Sequence, residues 1–146
     1  MCIRKATLAD QPAISTLLDQ LGYPETEAFL LQNLRVMLAQ PTSAILVYEL
    51  ERKVAGFIAI DFIPQLATKG DFARISCFAV DETTRSNGIG HLLEEHCTQL
   101  ANERNCDRIE VHCHSRRVDA HRFYQRQGYE ESPKYFRKML TDQTTT

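Results

Sequence analysis

The sequence predicts an α/β (α+β) fold in which a central mixed sheet, mostly antiparallel, is flanked by about four helices. Three features of the chain predict this fold. Two amphipathic helical patterns precede the first long strand, a hairpin pattern then leads into a long apolar strand, and two closely spaced glycines join that strand to a helix. The length of 146 residues is that of one ordinary domain. We expect a single domain over residues 1–141 and a polar tail over residues 142–146.

The first part of the chain predicts one short strand and two helices. The strand covers residues 3–6, and the following helix has isoleucine and leucine residues at intervals of three and four. Asp10 is the predicted N-cap of this helix, Pro12 lies in its first turn, and Gly22 ends it. A second amphipathic helix over residues 29–38 follows before any long strand.

The middle of the chain predicts the main strands of the sheet. Residues 44–50 and 54–63 form the best hairpin pattern, so these two strands should be antiparallel. Phe72–Val80 is apolar on both pleat faces, as expected of a strand that is covered on both sides. Residues 107–113 form a further strand, and because a helix connects the two, this strand should run parallel to Phe72–Val80.

The helix between these two strands should begin near His91 and extend to Glu103. Its apolar stripe consists of Ile89, Leu92, Leu93, Cys97, Leu100 and Ala101, and the opposite face carries Glu94, Glu95, Gln99 and Glu103. We expect the stripe to pack on the sheet and the acidic face to contact solvent. A short helix over residues 119–127 and a last hairpin over residues 129–140 complete the prediction.

The six residues Arg-Ser-Asn-Gly-Ile-Gly at positions 85–90 predict a phosphate-binding turn. A strand that ends where a helix begins directs several backbone N–H groups to one point, and the helix dipole favours negative charge there. Gly88 and Gly90 allow a ligand to approach the backbone closely, and Arg85 adds positive charge. The same pattern also occurs in a solvent-facing connection between a strand and a helix, so it does not identify a ligand by itself.

Composition excludes several classes of function. The apolar fraction of 43% and the charged fraction of 25% are those of a globular protein, and the net charge of −2 gives no general attraction to nucleic acid or to an anionic membrane. No apolar run has the length of a membrane span, and the first residues do not resemble a signal peptide. We therefore expect a cytoplasmic protein without nucleic-acid or membrane partners.

The cysteines suggest neither a disulfide framework nor a metal site. They number five and show no Cys-x-x-Cys spacing, so we expect them to be reduced. His112, Cys113 and His114 are adjacent, but in a strand the two histidines lie on one face and Cys113 on the other. We therefore predict no metal ion.

The order of elements, together with two motifs, resembles the GNAT superfamily of acyl-CoA-dependent N-acetyltransferases. The motifs are the glycine turn at 85–90 and, about thirty residues later, Ala-x-x-Phe-Tyr-x-x-x-Gly-Tyr at 120–129. Nearly the whole chain takes part in this resemblance. The last quarter looks most like aminoalkylphosphonate N-acetyltransferases, although Cys77 stands where those enzymes have a strand glutamate.

The resemblance implies that acetyl-CoA is the cosubstrate and that the two parallel strands splay apart to admit its pantetheine arm. The arm would pair with the backbone of Phe78, Ala79 and Val80. The pyrophosphate would bind the amides of Arg85, Ser86, Asn87, Gly88, Ile89, Gly90 and His91.

The resemblance also makes Tyr124 the expected general acid, which would protonate the thiolate of CoA. A base must accept the proton of the amine, and Glu110 and His112, on one strand face, and Asp71, just before the long strand, are the candidates. Asp71 and Cys77 are also candidates for substrate contacts. A nucleophilic role for Cys77 is less favoured, because a cysteine within a strand is usually part of the core.

The basic residues Arg116, Arg117, Arg122 and Arg126, with His114 and His121 nearby, could bind the 3′-phosphate of CoA or an acidic substrate group, or could form a solvated face. We expect an enzyme that transfers an acetyl group to the primary amine of a small molecule, such as an aminoalkylphosphonate, by direct attack in a ternary complex. Two alternatives stay open: an acyl-CoA-binding sensor without turnover, and a protein N-acetyltransferase. A second copy of the chain is a further candidate partner.

Overall fold

The computed structural model describes residues 2–112, 118–132 and 135–140. The chain forms two compact units, Met1–His112 and Cys113–Thr146. The first contains the sheet with its helices, and the described part of the second contains one helix and residues that follow it. None of the described helices is long and apolar enough to cross a membrane.

The order of elements in the first unit agrees with the sequence prediction. The strands are β1 (Ile3–Lys5), β2 (Ser43–Leu50), β3 (Lys53–Ile63), β4 (Phe72–Val80) and β5 (Ile109–Val111), and the helices are α1 (Gln11–Leu21), α2 (Glu27–Leu38) and α3 (Ile89–Glu103). The five strands form one sheet in the order β1-β2-β3-β4-β5. The pairs β1–β2, β2–β3 and β3–β4 are antiparallel, and the pair β4–β5 is parallel. The predicted mixed sheet is therefore confirmed.

Helices cover both faces of this sheet. Leu17 of α1 and Leu34 of α2 belong to a buried cluster that includes Phe57 and Ala59 of β3. Because side chains alternate along a strand, Gly56 of β3 faces the other side, where α3 packs.

Gly56 sets how closely α3 approaches the sheet. A Cβ at this position would lie 3.1 Å from Cδ1 of Leu93 and 3.2 Å from Cγ2 of Ile89. Both of these α3 side chains are fully buried. The absence of a side chain at Gly56 therefore lets the first turn of α3 lie directly on β3.

Asp10 ties β1 to the start of α1. Its carboxylate accepts two hydrogen bonds of 2.8 Å from the guanidinium of Arg4 and one of 2.8 Å from the backbone N–H of Thr7. Arg4 also donates to Glu49 at 2.7 Å. Asp10 does occupy the N-cap position of α1, with proline in the first turn, but its side chain caps the preceding 3-10 turn rather than α1 itself.

The second unit contains helix α4 (Val118–Arg126), which confirms the predicted short helix. The chain leaves α4 through Gly128, whose φ of +94° is left-handed. The predicted hairpin is not formed: residues 129–132 and 135–140 adopt no strand, and residues 133 and 134, at its turn, lie outside the described part of the chain.

Two details of α3 differ from the sequence prediction. The helix begins at Ile89 rather than near His91. Glu94, predicted to face solvent, is buried, with only 6% of its surface exposed, and Leu92 of the apolar stripe is 37% exposed. The Glu94 carboxylate accepts a 2.9 Å hydrogen bond from the Thr98 hydroxyl one turn later. A partner of this kind allows a carboxylate to be buried, and residue-type periodicity does not reveal it.

Candidate functional site

A β-bulge interrupts β4 at Ser76. Ala59 of β3 lies opposite Cys77, and Ile60 lies opposite Ile75, so Ser76 is the extra residue. The Ser76 hydroxyl donates a hydrogen bond of 3.3 Å to the carbonyl oxygen of Ala59. A bulge bends its strand and changes the direction of the side chains that follow. Residue patterning does not reveal this bulge, because it depends on the register with β3.

The parallel pairing of β4 with β5 stops next to the bulge. The register joins Ala73 to Ile109, Arg74 to Glu110 and Ile75 to Val111, and it extends no further among the described residues. The remaining half of β4, residues 76–80, therefore has no β5 partner among the described residues.

In this second half of β4, the backbone N–H groups of alternate residues point toward the β5 side. The N–H of Asp81 donates to the carbonyl oxygen of Ala55 on β3 at 2.8 Å. Because N–H groups alternate in direction along a strand, those of Phe78 and Val80 point away from β3. This is the edge on which the resemblance places the pantetheine arm.

The glycine turn is built differently from the simple turn that the sequence predicted. Residues Glu82–Asn87, which include Arg85 and Ser86, form a 3-10 helix, and Gly88 follows as the N-cap of α3 with a φ of +73°. The first intrahelical bond runs from the Leu92 N–H to the Gly88 carbonyl oxygen, at 3.1 Å. By helix geometry, the N–H groups of residues 89–91 therefore point out of the helix N-terminus, where an anion is favoured.

Three side chains near this N-terminus are at the surface, and a fourth, which is buried, anchors the turn. Arg85, Asn87 and His91 are exposed, whereas Ile89 is fully buried beneath the turn. His91 contacts Glu95 one turn later, with 3.1 Å between Nε2 and Oε2. The turn is therefore fixed to the core by Ile89 and presents its polar groups outward.

The first residues after β4 are held by a cap and by α1. The Asp81 carboxylate accepts hydrogen bonds from the N–H and the hydroxyl of Thr83, at 2.9 and 2.8 Å. The bonds from Thr83 lower the pKa of Asp81. Gln20, near the end of α1, accepts a 3.0 Å hydrogen bond from the Glu82 N–H through its Oε1. Sequence reasoning missed this contact, which joins residues 62 positions apart.

Glu110 lies in a cluster with two arginines. Its Oε2 accepts a 2.7 Å bond from Nε of Arg108, and its Oε1 accepts a 3.4 Å bond from Nη2 of Arg74. The bond from Arg108 is the main cause of a lowered pKa at Glu110. A carboxylate held in this way is a weaker proton acceptor than an ordinary glutamate. His112 follows two residues later and is exposed at the level of Ser76, where the parallel register ends.

The other candidates lie at different places. Cys77 is half-buried and packs against the cluster shared by α1, α2 and the sheet. Asp71 precedes the first residue of β4, so it lies at the opposite end of the strand from the glycine turn. Its carbonyl oxygen accepts a 2.9 Å bond from the Asp107 N–H, and burial together with the Asp71 charge raises the pKa of Cys106.

Tyr124 belongs to the second unit and lies between two rings. The centroids of Phe123 and Tyr129 are each 5.3 Å from that of Tyr124, in edge-to-face geometry. The N–H of Tyr129 also donates to the carbonyl oxygen of Tyr124 at 3.0 Å, across the turn at Gly128. The ring of Tyr124 is half-buried, and its predicted acid role stays a prediction.

Only part of the predicted basic cluster is described. Arg122 and Arg126 are exposed on α4, with Nη1 of Arg122 4.0 Å from Oδ1 of Asp119, and His121 is half-buried. The cluster's other members, His114, Arg116 and Arg117, lie outside the described residues, as does Cys113. Within the ranges that the structure describes, no group of His, Cys, Asp and Glu side chains is arranged to hold a metal ion.

Comparison with known proteins identifies related sequences and folds. Residues 12–129 match the acetyltransferase (GNAT) family. Among solved structures, the tetramutant of the BH1408 protein from Bacillus halodurans is 25% identical, with a TM-score of 0.83 over 96% of this chain and 100% of that one. No curated protein matches the sequence.

Two further structures share the fold at lower identity. An aminoglycoside acetyltransferase from an uncultured soil metagenomic sample is 22% identical, with a TM-score of 0.80 over 95% of each chain. A glucosamine-6-phosphate N-acetyltransferase from Arabidopsis thaliana is 20% identical, with a TM-score of 0.82 over 95% of this chain and 97% of that one.

Proposed function

Because the chain belongs to the acetyltransferase (GNAT) family, we propose that it transfers the acetyl group of acetyl-CoA to a primary amine of a small molecule by direct attack in a ternary complex. The observation that carries this proposal is the half of β4 after Ile75, which has no β5 partner among the described residues and leads to the N-terminus of α3. The N-terminus of α3 suits a pyrophosphate. The backbone along the β5 side of β4 suits a chain that contains amide groups.

The described residues fit the cosubstrate at both of these places. The N–H groups of residues 89–91 and the positive end of the α3 dipole would bind the pyrophosphate, with Arg85 adding charge. Phe78 and Val80 would pair with the amides of the pantetheine arm. The acetyl end would then lie just after the last β4–β5 pair, at the level of Ser76 and His112.

The reaction needs a neutral amine and a protonated leaving group. In the proposed step, the amine nitrogen attacks the thioester carbonyl carbon, the C–N bond forms, the C–S bond breaks, and the amine proton passes to a base. We assign this base to His112, directly or through a water molecule, in preference to Glu110, because the ion pairs of Glu110 lower its pKa. We assign the proton that the CoA thiolate receives to the hydroxyl of Tyr124.

Two similarities support a small-molecule acceptor. The solved structures with this fold include acetyltransferases that are named for an aminoglycoside and for glucosamine-6-phosphate. The resemblance of the last quarter of the chain to aminoalkylphosphonate N-acetyltransferases adds amines that carry an acidic group. Cys77, packed against the core cluster, supplies no carboxylate at the position of the glutamate in those enzymes.

The same feature favours a second candidate function, an acyl-CoA-binding sensor without turnover. With Cys77 packed against the core cluster and Glu110 in ion pairs, no ordinary carboxylate base lies at the end of the parallel register among the described residues. The two functions differ in whether the thioester is consumed.

Release of the CoA thiol from acetyl-CoA separates these functions. The assay covers a panel of amino acids, aminoalkylphosphonates, polyamines, aminoglycosides and peptides. The enzyme proposal predicts thiol release that depends on at least one small amine. Release only with peptides would support a protein acetyltransferase instead. Tight binding of acetyl-CoA without release across the panel would support the sensor.

A further inference from the structure

Arg74 lies on the face of the sheet that α1 and α2 share, three residues before Cys77. It pairs with Asp61 of β3 and with Glu110 of β5, and paired residues lie on one face of a sheet. Asp61 belongs to the same face as Ala59, which is part of the cluster with α1 and α2. Arg74 therefore lies next to Ile75, the last β4 residue that is paired with β5 among the described residues.

The Arg74 guanidinium rests on an aromatic ring that it shares with a second arginine. Its Cζ lies 5.4 Å from the centroid of the Phe72 ring, and the Cζ of Arg108 lies 4.5 Å from the same centroid. Contacts of this kind hold both planar groups near the strand. Arg74 is thus oriented by its neighbours, although 39% of its side-chain surface is exposed.

The two arginines differ in how many acceptors they have. Arg108 donates to Glu110, to Gln65 at 2.8 Å, and to both carboxylate oxygens of Asp107 at 3.0 and 3.2 Å. The side chain of Arg74 donates one hydrogen bond within the described part of the chain, of 3.4 Å, from Nη2 to Glu110. Glu110 is closer to Arg108 than to Arg74, so it satisfies Arg74 only weakly.

The Nε of Arg74 is a buried donor without a hydrogen-bond partner among the described residues. A guanidinium has five N–H donors, and leaving a buried one unpaired costs free energy. Nearby, the Asp61 carboxylate accepts a 2.8 Å bond from the Ser43 hydroxyl. The Nε of Arg74 is too buried to reach a ligand, but Nη1 and the weakly bonded Nη2 are donors for which the described residues provide no close acceptor.

We propose that Arg74 binds an anionic group, a carboxylate or a phosphonate, on the acceptor amine. This inference rests on the proposed acetyl transfer and names the class of its substrate. Arginine matches such planar or tetrahedral oxyanions with two parallel hydrogen bonds. The anion would accept from Nη1 and Nη2 at the exposed end of the guanidinium, on the surface next to the reacting amine.

The position of Arg74 sets the length of the acceptor. The acetyl end is placed at Ser76, two residues from Arg74. The guanidinium itself lies on the ring of Phe72, four residues from Ser76. At about 3.3 Å per residue of strand, the anion lies roughly 7 to 13 Å from the amine. Six- and eight-carbon ω-amino acids can span this distance, whereas glycine cannot.

The test compares ω-amino acids of two to eight carbons with alkylamines of the same length, as acceptors for the wild type, Arg74→Gln and Arg74→Lys. Arg104→Gln is the matched control, because Arg104 stacks at 4.0 Å on Phe62, which lies on the opposite face of the sheet. Retained thermal unfolding temperatures show that the variants are folded. We expect kcat/KM for 6-aminohexanoate to exceed that for hexylamine by about 10- to 100-fold, through KM, in the wild type and in Arg104→Gln.

In Arg74→Gln the ratio of kcat/KM for 6-aminohexanoate to kcat/KM for hexylamine should fall to about one, while turnover of hexylamine stays unchanged. Arg74→Lys should keep part of the preference for 6-aminohexanoate. Equal use of the two amines by the wild type, or an unchanged preference in Arg74→Gln, would overturn the inference and leave the acetyl transfer intact. If no amine is acetylated, the proposed function fails, and calorimetric titration of the CoA complex with 6-aminohexanoate then decides the site. Binding that Arg74→Gln abolishes supports the anion site, and the absence of binding overturns it.

Discussion

Ile75 of β4 lies opposite Val111 of β5, and this is the last pair of the parallel register among the described residues. The next residue of β4, Ser76, is the bulge. The strand therefore changes its pairing on both sides within two residues. Pairing with β3 shifts by one position there, and no further pair with β5 follows among the described residues.

This relationship predicts which backbone groups acetyl-CoA protects. The N–H groups of Phe78 and Val80 point away from β3, whereas that of Asp81 is bonded to Ala55. Saturating acetyl-CoA should slow hydrogen exchange at Phe78 and Val80 by at least about tenfold and change Asp81 little. Exchange resolved by residue in NMR spectra measures this. Equal slowing along the whole of β4 would indicate general stabilisation rather than pairing with the arm.

Gly88→Ala should weaken binding of acetyl-CoA. The φ of +73° at Gly88 is unfavourable for alanine by about 1 kcal/mol, although no other atom lies within 4 Å of the added Cβ. Relief of this strain would turn the N–H groups of the first α3 turn, and we expect a loss of about tenfold in affinity by calorimetry. Gly22→Ala is the control, because Gly22 has a φ of +107° and equally open surroundings at the end of α1. Unchanged affinity in Gly88→Ala would show that the turn does not bind the pyrophosphate.

Tyr124→Phe should lower kcat by about tenfold without a comparable change in KM. A thiol is a good leaving group near neutral pH, so the loss of an acid slows the reaction rather than abolishing it. Tyr129→Phe is the matched control, because its ring lies 5.3 Å from that of Tyr124 in the same aromatic group. An equal effect of both substitutions on kcat would contradict the acid role and indicate packing.

The thiols of the folded protein should differ widely in reactivity. Burial raises the pKa of Cys97 to about 12, with the Glu94 charge as a second cause, and Cys106 is shifted in the same direction. Because the thiolate is the reactive form, Cys97 should resist iodoacetamide at pH 8 while exposed Cys2 is modified. Mass spectrometry of the labelled peptides measures both rates, which should become similar in denaturant. Rapid labelling of native Cys97 would contradict its burial.

Asp10 should contribute stability that disappears in acid. The hydrogen bonds from Arg4 lower the pKa of Asp10 below its ordinary value near 4. Its contribution is therefore fully present above the pKa of the unfolded chain and is lost as the pH falls through the lower pKa of the folded state. Asp10→Asn should cost about 2 kcal/mol at pH 7 in urea unfolding, and less below pH 3. Asp19→Asn, at an exposed position of α1, should be nearly neutral; an equal loss in both variants would contradict the assignment.

Much of the fold could be predicted because the relevant signals are local. The apolar run of β4 and the helical spacing in α1 and α3 each depend on residues close in the chain, and the structure has all three elements. The parallel order of β4 and β5 followed from the helix that connects them. The 3-10 helix Glu82–Asn87 has no hydrophobic period, so it was expected only as a turn.

The details of the site depend on contacts between distant parts of the chain. The bulge at Ser76 is a mismatch with β3, and the contact of Gln20 with Glu82 joins α1 to the end of β4. No local pattern singles out Arg74, because its bond to Glu110 depends on the pairing of β4 with β5. The hairpin over residues 129–140 followed from local composition, and the described residues there form no strand, because a strand needs a partner that composition does not specify.

The central claim is that this chain uses acetyl-CoA to acetylate an amine. The most direct measurement quantifies, in one reaction with one amine, the CoA thiol released and the N-acetylated product identified by mass spectrometry. The account predicts one thiol for each N-acetyl group, with both rates lowered together in Gly88→Ala at subsaturating acetyl-CoA. Thiol release without N-acetylated product, or bound acetyl-CoA that no amine consumes, would contradict it.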